Sequence, residues 1–223
     1  MVGCAQADGP STGRDTFDLA AGSNDDFAGV LDFAGFGSGG GADLSDPAAS
    51  PDDGGTVPVG CTNAEHVVVN EVKTAGSASA NDEYIELYNP CALPVNLTNW
   101  RLIYHSQTGT ADVGIVTFAK TIPGKGYFLV AETMCGCSAM ADQTYAAGKL
   151  SGTAGGVGLK NALNALVDSV GYGAGTTNEF VEGAPAPAPA TGQSTARTPN
   201  GADTNKNNVD FVIASTPTPK AAN

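Results

Sequence analysis

Residues Val67 to Trp100 read VVVNEVKTAGSASANDEYIELYNPCALPVNLTNW. The apolar run Val67-Val68-Val69 leads into Asn70-Glu71-Val72. A small-residue connector, Thr74 to Asn81, separates it from Glu83-Tyr84-Ile85-Glu86-Leu87-Tyr88, which Asn89-Pro90 closes. Alternation of apolar and polar residues marks a strand with one buried face. Two such runs joined by small residues predict a hairpin. Leu97 to Tyr104 reads as the next strand. Downstream, Val113 to Ala119 alternates, Ile122 to Gly126 is a Pro/Gly turn, and Tyr127 to Ala131 reads as a buried strand followed by a loop from Glu132 to Gly148. Val209 to Ala214 reads as the last strand, and Thr216-Pro217-Thr218-Pro219 ends pairing because proline cannot donate.

These motifs resemble the lamin-tail domain family, of a bacterial exported, lipoprotein type. The carriers are Val69-Asn70-Glu71-Val72, Tyr84-Ile85-Glu86-Leu87-Tyr88-Asn89-Pro90 and Val95-Asn96-Leu97-Thr98-Asn99-Trp100-Arg101-Leu102. They continue in Thr121 to Val130, in Val167-Asp168-Ser169-Val170-Gly171-Tyr172-Gly173 and in the ending Asp210-Phe211-Val212 through Asn223. The resemblance implies an all-β, antiparallel Ig-like β-sandwich over residues 61–223 with Trp100 in its core. Leu159, Leu163, Leu166 and Val170 have helical spacing. The resemblance instead makes this a hairpin, with strands Val157 to Asn161 and Leu166 to Tyr172 about a turn near Asn164.

The chain has 223 residues and a formal net charge of −13. Residues 1–60 hold one basic and ten acidic residues, whereas 61–223 hold nine and thirteen, so most of the charge excess lies in the first quarter. That quarter is rich in Gly, Asp and Ala and too poor in branched apolar residues to offset its chain entropy. Residues 5–60 are therefore expected to be a flexible acidic arm. Its loose repeats, Asp18-Leu19-Ala20-Ala21, Asp26-Phe27-Ala28-Gly29 and Asp32-Phe33-Ala34-Gly35, suit a tether or a sticky motif that docks on a partner or on the domain. Basic residues are scattered without a run, which excludes the counterion-releasing surface that nucleic acid requires and disfavours anionic lipid. No apolar run reaches the roughly 18 residues of a membrane-spanning helix.

No catalytic constellation is legible. There is no Gly-x-Ser-x-Gly elbow, HExxH, phosphate loop or dinucleotide fingerprint. The odd spacing of Glu83 and Glu86 puts them on opposite faces of a strand, so they do not read as paired catalytic carboxylates. With Glu71 and Asn89 they read as hydrogen-bonding anchors of edges and turns. Asp203, Asn205 and Asn207 form the first half of a calcium-loop pattern, but Asn208 stands where Gly is needed and Ala214 where Glu is needed. An Asx-rich turn is the alternative. Asn96-Leu97-Thr98 is a glycosylation acceptor in a host that modifies such sites. Ala184 to Ala190, APAPAPA, reads as a short polyproline II spacer.

Met1-Val2-Gly3-Cys4 resembles the end of a lipoprotein signal with Cys4 as the lipidated residue, although the regions that should precede it are absent. Setting Cys4 aside leaves four cysteines. In a hairpin turning near Ser77, positions whose numbers sum to about 155 face each other, which places Cys61 within reach of Cys91. Chain reversal puts Cys135 and Cys137 at the opposite end. A Cys61–Cys91 disulfide would close a loop of about 30 residues. Cys135 and Cys137 read as a tight ring across Gly136, as free thiols, or as a bridge to another chain; two cysteines are too few for a closed zinc site unless other ligands join them.

The expected function is a non-catalytic, exported cell-surface binding module on a flexible arm, taking a protein or surface-glycan ligand, with no cofactor beyond the weak calcium candidate and membrane contact only through a lipid anchor. The alternatives are a structural protein that self-associates by strand addition and an accessory domain of a secreted hydrolase.

Overall fold

The structure, a computed structural model, describes residues 66–223. Cys4, the arm at 5–60 and Cys61 lie outside the described residues. β1 (Val68–Lys73) and β2 (Tyr84–Tyr88) form the predicted hairpin. Their register runs Lys73↔Tyr84, Val72↔Ile85 and Glu71↔Glu86, then shifts to Val69↔Leu87. Asn70 is thus an extra residue in β1. That bulge is why Val69 and Val72, three apart, both enter the core while Glu71 faces outward.

β1 and β2 lie in a six-stranded sheet with β7 (Tyr127–Glu132), β8 (Gln143–Tyr145), β11 (Ser194–Arg197) and β12 (Phe211–Ala214), ordered β12-β11-β1-β2-β7-β8. The facing sheet contains β4 (Arg101–Ser106), β5 (Val113–Thr117), β9 (Gly155–Lys160) and β10 (Leu166–Tyr172), ordered β10-β9-β4-β5. β3 (Val95–Asn96) and β6 (Thr121–Ile122) make a small third sheet. The core between the two large sheets holds Val69, Val72, Ile85, Leu87, Leu102, Phe128, Val130, Val157, Leu159 and Val170. A smaller cluster, Tyr84, Leu129, Ala131, Cys135 and Cys137, occupies the outer face of the six-stranded sheet. Alternation along β2 and β7 supplies both, since Ile85, Leu87, Phe128 and Val130 point inward and Tyr84, Leu129 and Ala131 outward.

The sandwich is the expected Ig-like one, and several local expectations need correction. Leu97 to Tyr104 is not one strand. Trp100 N–H donates to Leu97 O at 2.9 Å and Asn99 has φ 64, so the chain turns before β4 begins at Arg101. Trp100 is consequently half-buried and packs on the core from its margin rather than inside it. The Glu132 to Gly148 loop contains a 3₁₀ turn (Ser138–Met140) and β8, which pairs parallel to β7, a departure from a wholly antiparallel sandwich. The out-of-sheet loop from Thr133 brings the chain back beside β7 in the same direction, fixed where Leu129 N–H donates to the Asp142 carboxylate. Val209 and Asp210 belong to a one-turn helix, α1 (Asn207–Asp210), and β12 starts only at Phe211. The hairpin near Asn164 is present, with Asn164 at φ 67 and Leu163 exposed at its tip, so the helical leucine spacing is coincidental.

Gly158 shows how closely the four-stranded sheet is covered. A Cβ there would lie 2.5 Å from the buried Phe180 ring, whereas a Cβ on Gly114 of β5 would meet nothing within 4 Å. Gly158→Val is expected to lower unfolding stability by about 1–3 kcal/mol through overpacking, and Gly114→Ala to change it by less than about 0.5 kcal/mol. Urea unfolding of both variants against the parent checks the pair; equal effects would show that Phe180 does not seal that face.

Candidate functional site

A buried polar constellation lies where the β1 start, β10, β11 and the 198–210 segment meet. Arg197 is fully buried. Its Nε donates to Val69 O at 3.1 Å, and its Nη1 donates to Ala202 O, Asp203 and Asp210. Its Nη2 donates to both oxygens of Asp168 in β10, at 3.0 and 3.2 Å. The guanidinium also lies 4.6 Å from the Phe211 ring centroid. The β1–β11 ladder runs through Val72↔Thr195 and Glu71↔Ala196. Beyond it, the Val69 carbonyl accepts from Arg197 and the Val69 N–H donates to Asp168. The bulge at Asn70 is what turns those backbone groups toward the ion pair.

Burial pulls the Arg197 guanidinium down, and the charges of Asp168, Asp203 and Asp210 hold it above its ordinary value. Burial pushes the Asp168 carboxyl up, and the Arg197 charge opposes that. His66 Nε2 sits 3.3 Å from Asp203 at the rim. Its pKa is raised above 6.5, chiefly by that hydrogen bond, while Asp203 is held well below the usual carboxylate range by the same bond. His66 and Asp203, with Val68, Pro90, Pro199, Asn200, Gly201 and Ala202, line an open cavity of about 320 Å³.

The carboxylates of the opening motif are anchors of the kind expected. Glu71 accepts from Ser194 Oγ and Thr218 N–H, and Glu86 from Asn70 Nδ2 and Lys220 N–H. Asn223 donates to the Asn70 and Arg197 carbonyls. Asn70, Glu71 and Glu86 thereby fasten the C-terminal tail across the sheet. Glu83 accepts from Tyr145 Oη and the N–H groups of Lys149 and Leu150, which positions the strand after the β7–β8 loop. Asn89 Nδ2 donates to Leu93 O and Pro123 O, and its Oδ1 accepts from Cys91 N–H.

The side-chain oxygens of Asp203 and Asn207 are already engaged by donors. Asp203 Oδ1 accepts from Arg197 and from Asn205 N–H. Asn207 is buried, and its Oδ1 accepts from Gly171 N–H and Glu182 N–H, both at 2.9 Å. Asn205 is exposed with φ 54. The stretch works as a turn and an anchor, and a calcium ion there would have to displace those donors. Among the described residues two groups bring His and carboxylates together, His66–Asp168–Asp203 and His105–Asp112–Glu179. Protein cations already occupy both: Arg197 in the first, Lys160 on Asp112 and Glu179 in the second. His105 Nε2 pairs with Asp112 at 2.9 Å, and its ring lies 4.2 Å from that of Phe180. Both histidines thus face aspartates, His66 facing Asp203 and His105 facing Asp112.

Cys135 and Cys137 are joined, with S–S 2.04 Å. Cys91 is buried and disulfide-bonded; its predicted partner, Cys61, lies outside the described residues. The register Tyr88↔Tyr127 and Tyr84↔Ala131 puts Cys91 and Cys135 at opposite ends of the β2–β7 pair. Sequence reasoning missed Arg197, Asp168, Asp210 and His66 as a unit. Their signal was an aspartate inside the apolar run Leu166–Tyr172 and an arginine closing the short run Ser194–Arg197, both charges where a buried strand carries none unless they are paired.

Burial of Glu86 pushes its carboxyl up to about 8 from 4.5. A raised folded-state carboxyl loses stability as pH rises from 4.5 toward 8, because the unfolded chain releases that proton first. The raised His66 adds stability that is complete below 6.5 and lost as pH rises through its folded value. The lowered Asp203 adds stability present above 3.8 and lost as pH falls through its folded value. The urea midpoint is therefore expected to be higher near about pH 5 than near about pH 8.5. His66→Gln and Glu86→Gln should each flatten that fall. Variants whose midpoints keep the parent's pH dependence would refute both assignments.

Residues 62–174 match the family model described as the Lamin Tail Domain. No curated protein matches the chain.

Proposed function

Since the chain belongs to the lamin tail domain family, an Ig-like and non-enzymatic one, we propose that it is a non-catalytic interaction module, exported and held at the cell surface. In this reading residues 5–60 are the arm and Cys4 the point of lipid attachment, as in a bacterial lipoprotein. The module takes a protein partner, and the observation that carries this is the end strand of the six-stranded sheet. Among the described residues β12 is paired only through β11, and it presents Val212 and Ile213, with Val209 of α1 beside them, exposed by 46, 37 and 56%. An end strand with apolar side chains in solvent offers both backbone pairing and side-chain contact to an extended segment. Asp168, Asp203, Asp210 and Arg197 are tied into internal hydrogen bonds and ion pairs. No helix among the described residues is long and apolar enough to cross a membrane.

The same edge supports the second reading, self-association by strand addition. Light scattering of the purified chain separates the two. The binding reading expects a monodisperse monomer, and the self-assembly reading expects growth into oligomers that Val212→Lys/Ile213→Lys abolishes. Surface exposure is tested on intact cells that make the protein, with a membrane-impermeant amine-reactive biotin reagent. Labelling before lysis is the expected result; labelling only after lysis would overturn the exported reading.

A further inference from the structure

The loop after β7 reads Met134-Cys135-Gly136-Cys137-Ser138-Ala139-Met140. Two of the chain's three methionines and two of its five cysteines fall within these seven residues. Methionine in this chain is otherwise absent from the folded domain, so four sulfurs in one loop are not a by-product of composition. We propose that this loop is a soft-metal site, made available by reduction of the Cys135–Cys137 bond, that binds one monovalent Cu(I) ion.

The backbone already converges the ligands. The Cys135 and Cys137 Cα atoms are 5.0 Å apart. Met140 N–H donates to Cys137 O at 2.9 Å, and residues three apart in a 3₁₀ turn are nearly eclipsed, so Met140 stands over Cys137. Met134 directly precedes Cys135, and its backbone N–H is fixed by the Glu132 carboxylate. Met134 is exposed by 62% and Met140 by 51%, and the Met134 sulfur accepts one contact, from Asn81 Nδ2 at 3.8 Å, which an entering ion displaces. An exposed methionine gains nothing from burial, and an entering ion reaches it first. The cysteine pair lies beneath them against Tyr84, Leu129 and Ala131. Asp82, itself paired with Lys73 at 2.7 Å, accepts from Gly136 N–H at 3.2 Å and holds the loop tip. A monovalent soft ion is the one that thiolate and thioether ligands select, whereas hard divalent ions prefer oxygen.

In the joined form the sulfurs offer two thioethers and no thiolate. A dithiol reductant delivers two electrons and two protons: the S–S bond breaks, Cys135 and Cys137 become thiols, and the reductant closes its own disulfide. Cu(I) then forms two Cu–S(thiolate) bonds as both thiols release their protons to solvent, and Met134 and Met140 add neutral thioether sulfur. The assignment is independent of the surface-module reading.

The test uses the full chain, reduced with dithiothreitol and desalted without air, titrated with Cu(I) against a chromophoric Cu(I) chelator. The expected result is one tight Cu(I) per reduced chain. That site should vanish in Cys135→Ser/Cys137→Ser, which keeps the other cysteines and so accounts for any copper they take. Outer-sphere groups alone change metal affinity by about 10–100-fold, so Met134→Leu/Met140→Leu, confined to exposed side chains, should weaken the site by at least about tenfold. The unreduced chain should bind no Cu(I) at this affinity. Parent-like affinity in the methionine variant, retention of the site in the cysteine variant, or equally tight binding by the unreduced chain would each overturn the proposal.

Discussion

A single buried cation organises the sandwich. Arg197 belongs to the six-stranded sheet through β11, and Asp168 to the four-stranded sheet through β10, so their paired hydrogen bonds cross between the two layers with neither side chain exposed. The same guanidinium reaches Val69 O, Ala202 O, Asp203 and Asp210, which fixes β1 and the segment leading into β12. A buried charge left without partners is expensive, whereas one with its donors matched mainly restricts which arrangement of the chain is allowed. Five donors in a rigid plane suit arginine to that task, and lysine could not replace its geometry.

The other recurring device is the buried carboxylate aimed at backbone N–H groups. Glu71, Glu83 and Glu86 lie in or beside β1 and β2, and Glu86, between Ile85 and Leu87, looks solvent-facing by alternation. They are buried because chain returning from elsewhere covers them: the C-terminal tail over Glu71 and Glu86, and the Lys149–Leu150 segment over Glu83. Each carboxylate satisfies N–H groups of a segment that has no ladder of its own, which is how irregular chain can lie on a sheet without orphaned donors. The two devices meet at Asn70, whose bulge reorients Val69 toward Arg197 and whose side chain joins Glu86 and the 200–201 turn.

Local patterns made much of this legible. Alternation located β2 and β5, a continuous apolar run located β7, and the 67–88 hairpin register came within two of the observed sum, 157 at Val72↔Ile85, the bulge lying outside what alternation records. The readings that failed depended on distant partners. Leu97 to Tyr104 looked continuous because Asn99 can adopt positive φ without any change in apolar pattern. β8 and β11 are three and four residues long and mostly not alternating, so only their neighbours define them. Asp168 and Arg197 lie 29 residues apart, and no local spacing announces a pair made across two sheets. For the same reason the metal-like grouping at His66 could not be foreseen, nor that an arginine fills it.

The account stands on the coupling between Arg197 and Asp168, and a double-mutant cycle measures it directly. Urea unfolding would be followed for the parent, Arg197→Met, Asp168→Asn and the double variant. Breaking a buried pair by removing one member typically costs about 3–5 kcal/mol, because the remaining charge stays buried and unpaired. The account predicts that the double variant loses less than the sum of the two single losses, by about 1 kcal/mol or more. Losses that simply add would mean that the two residues act independently, and that the inter-sheet ion pair is not what holds this sandwich together.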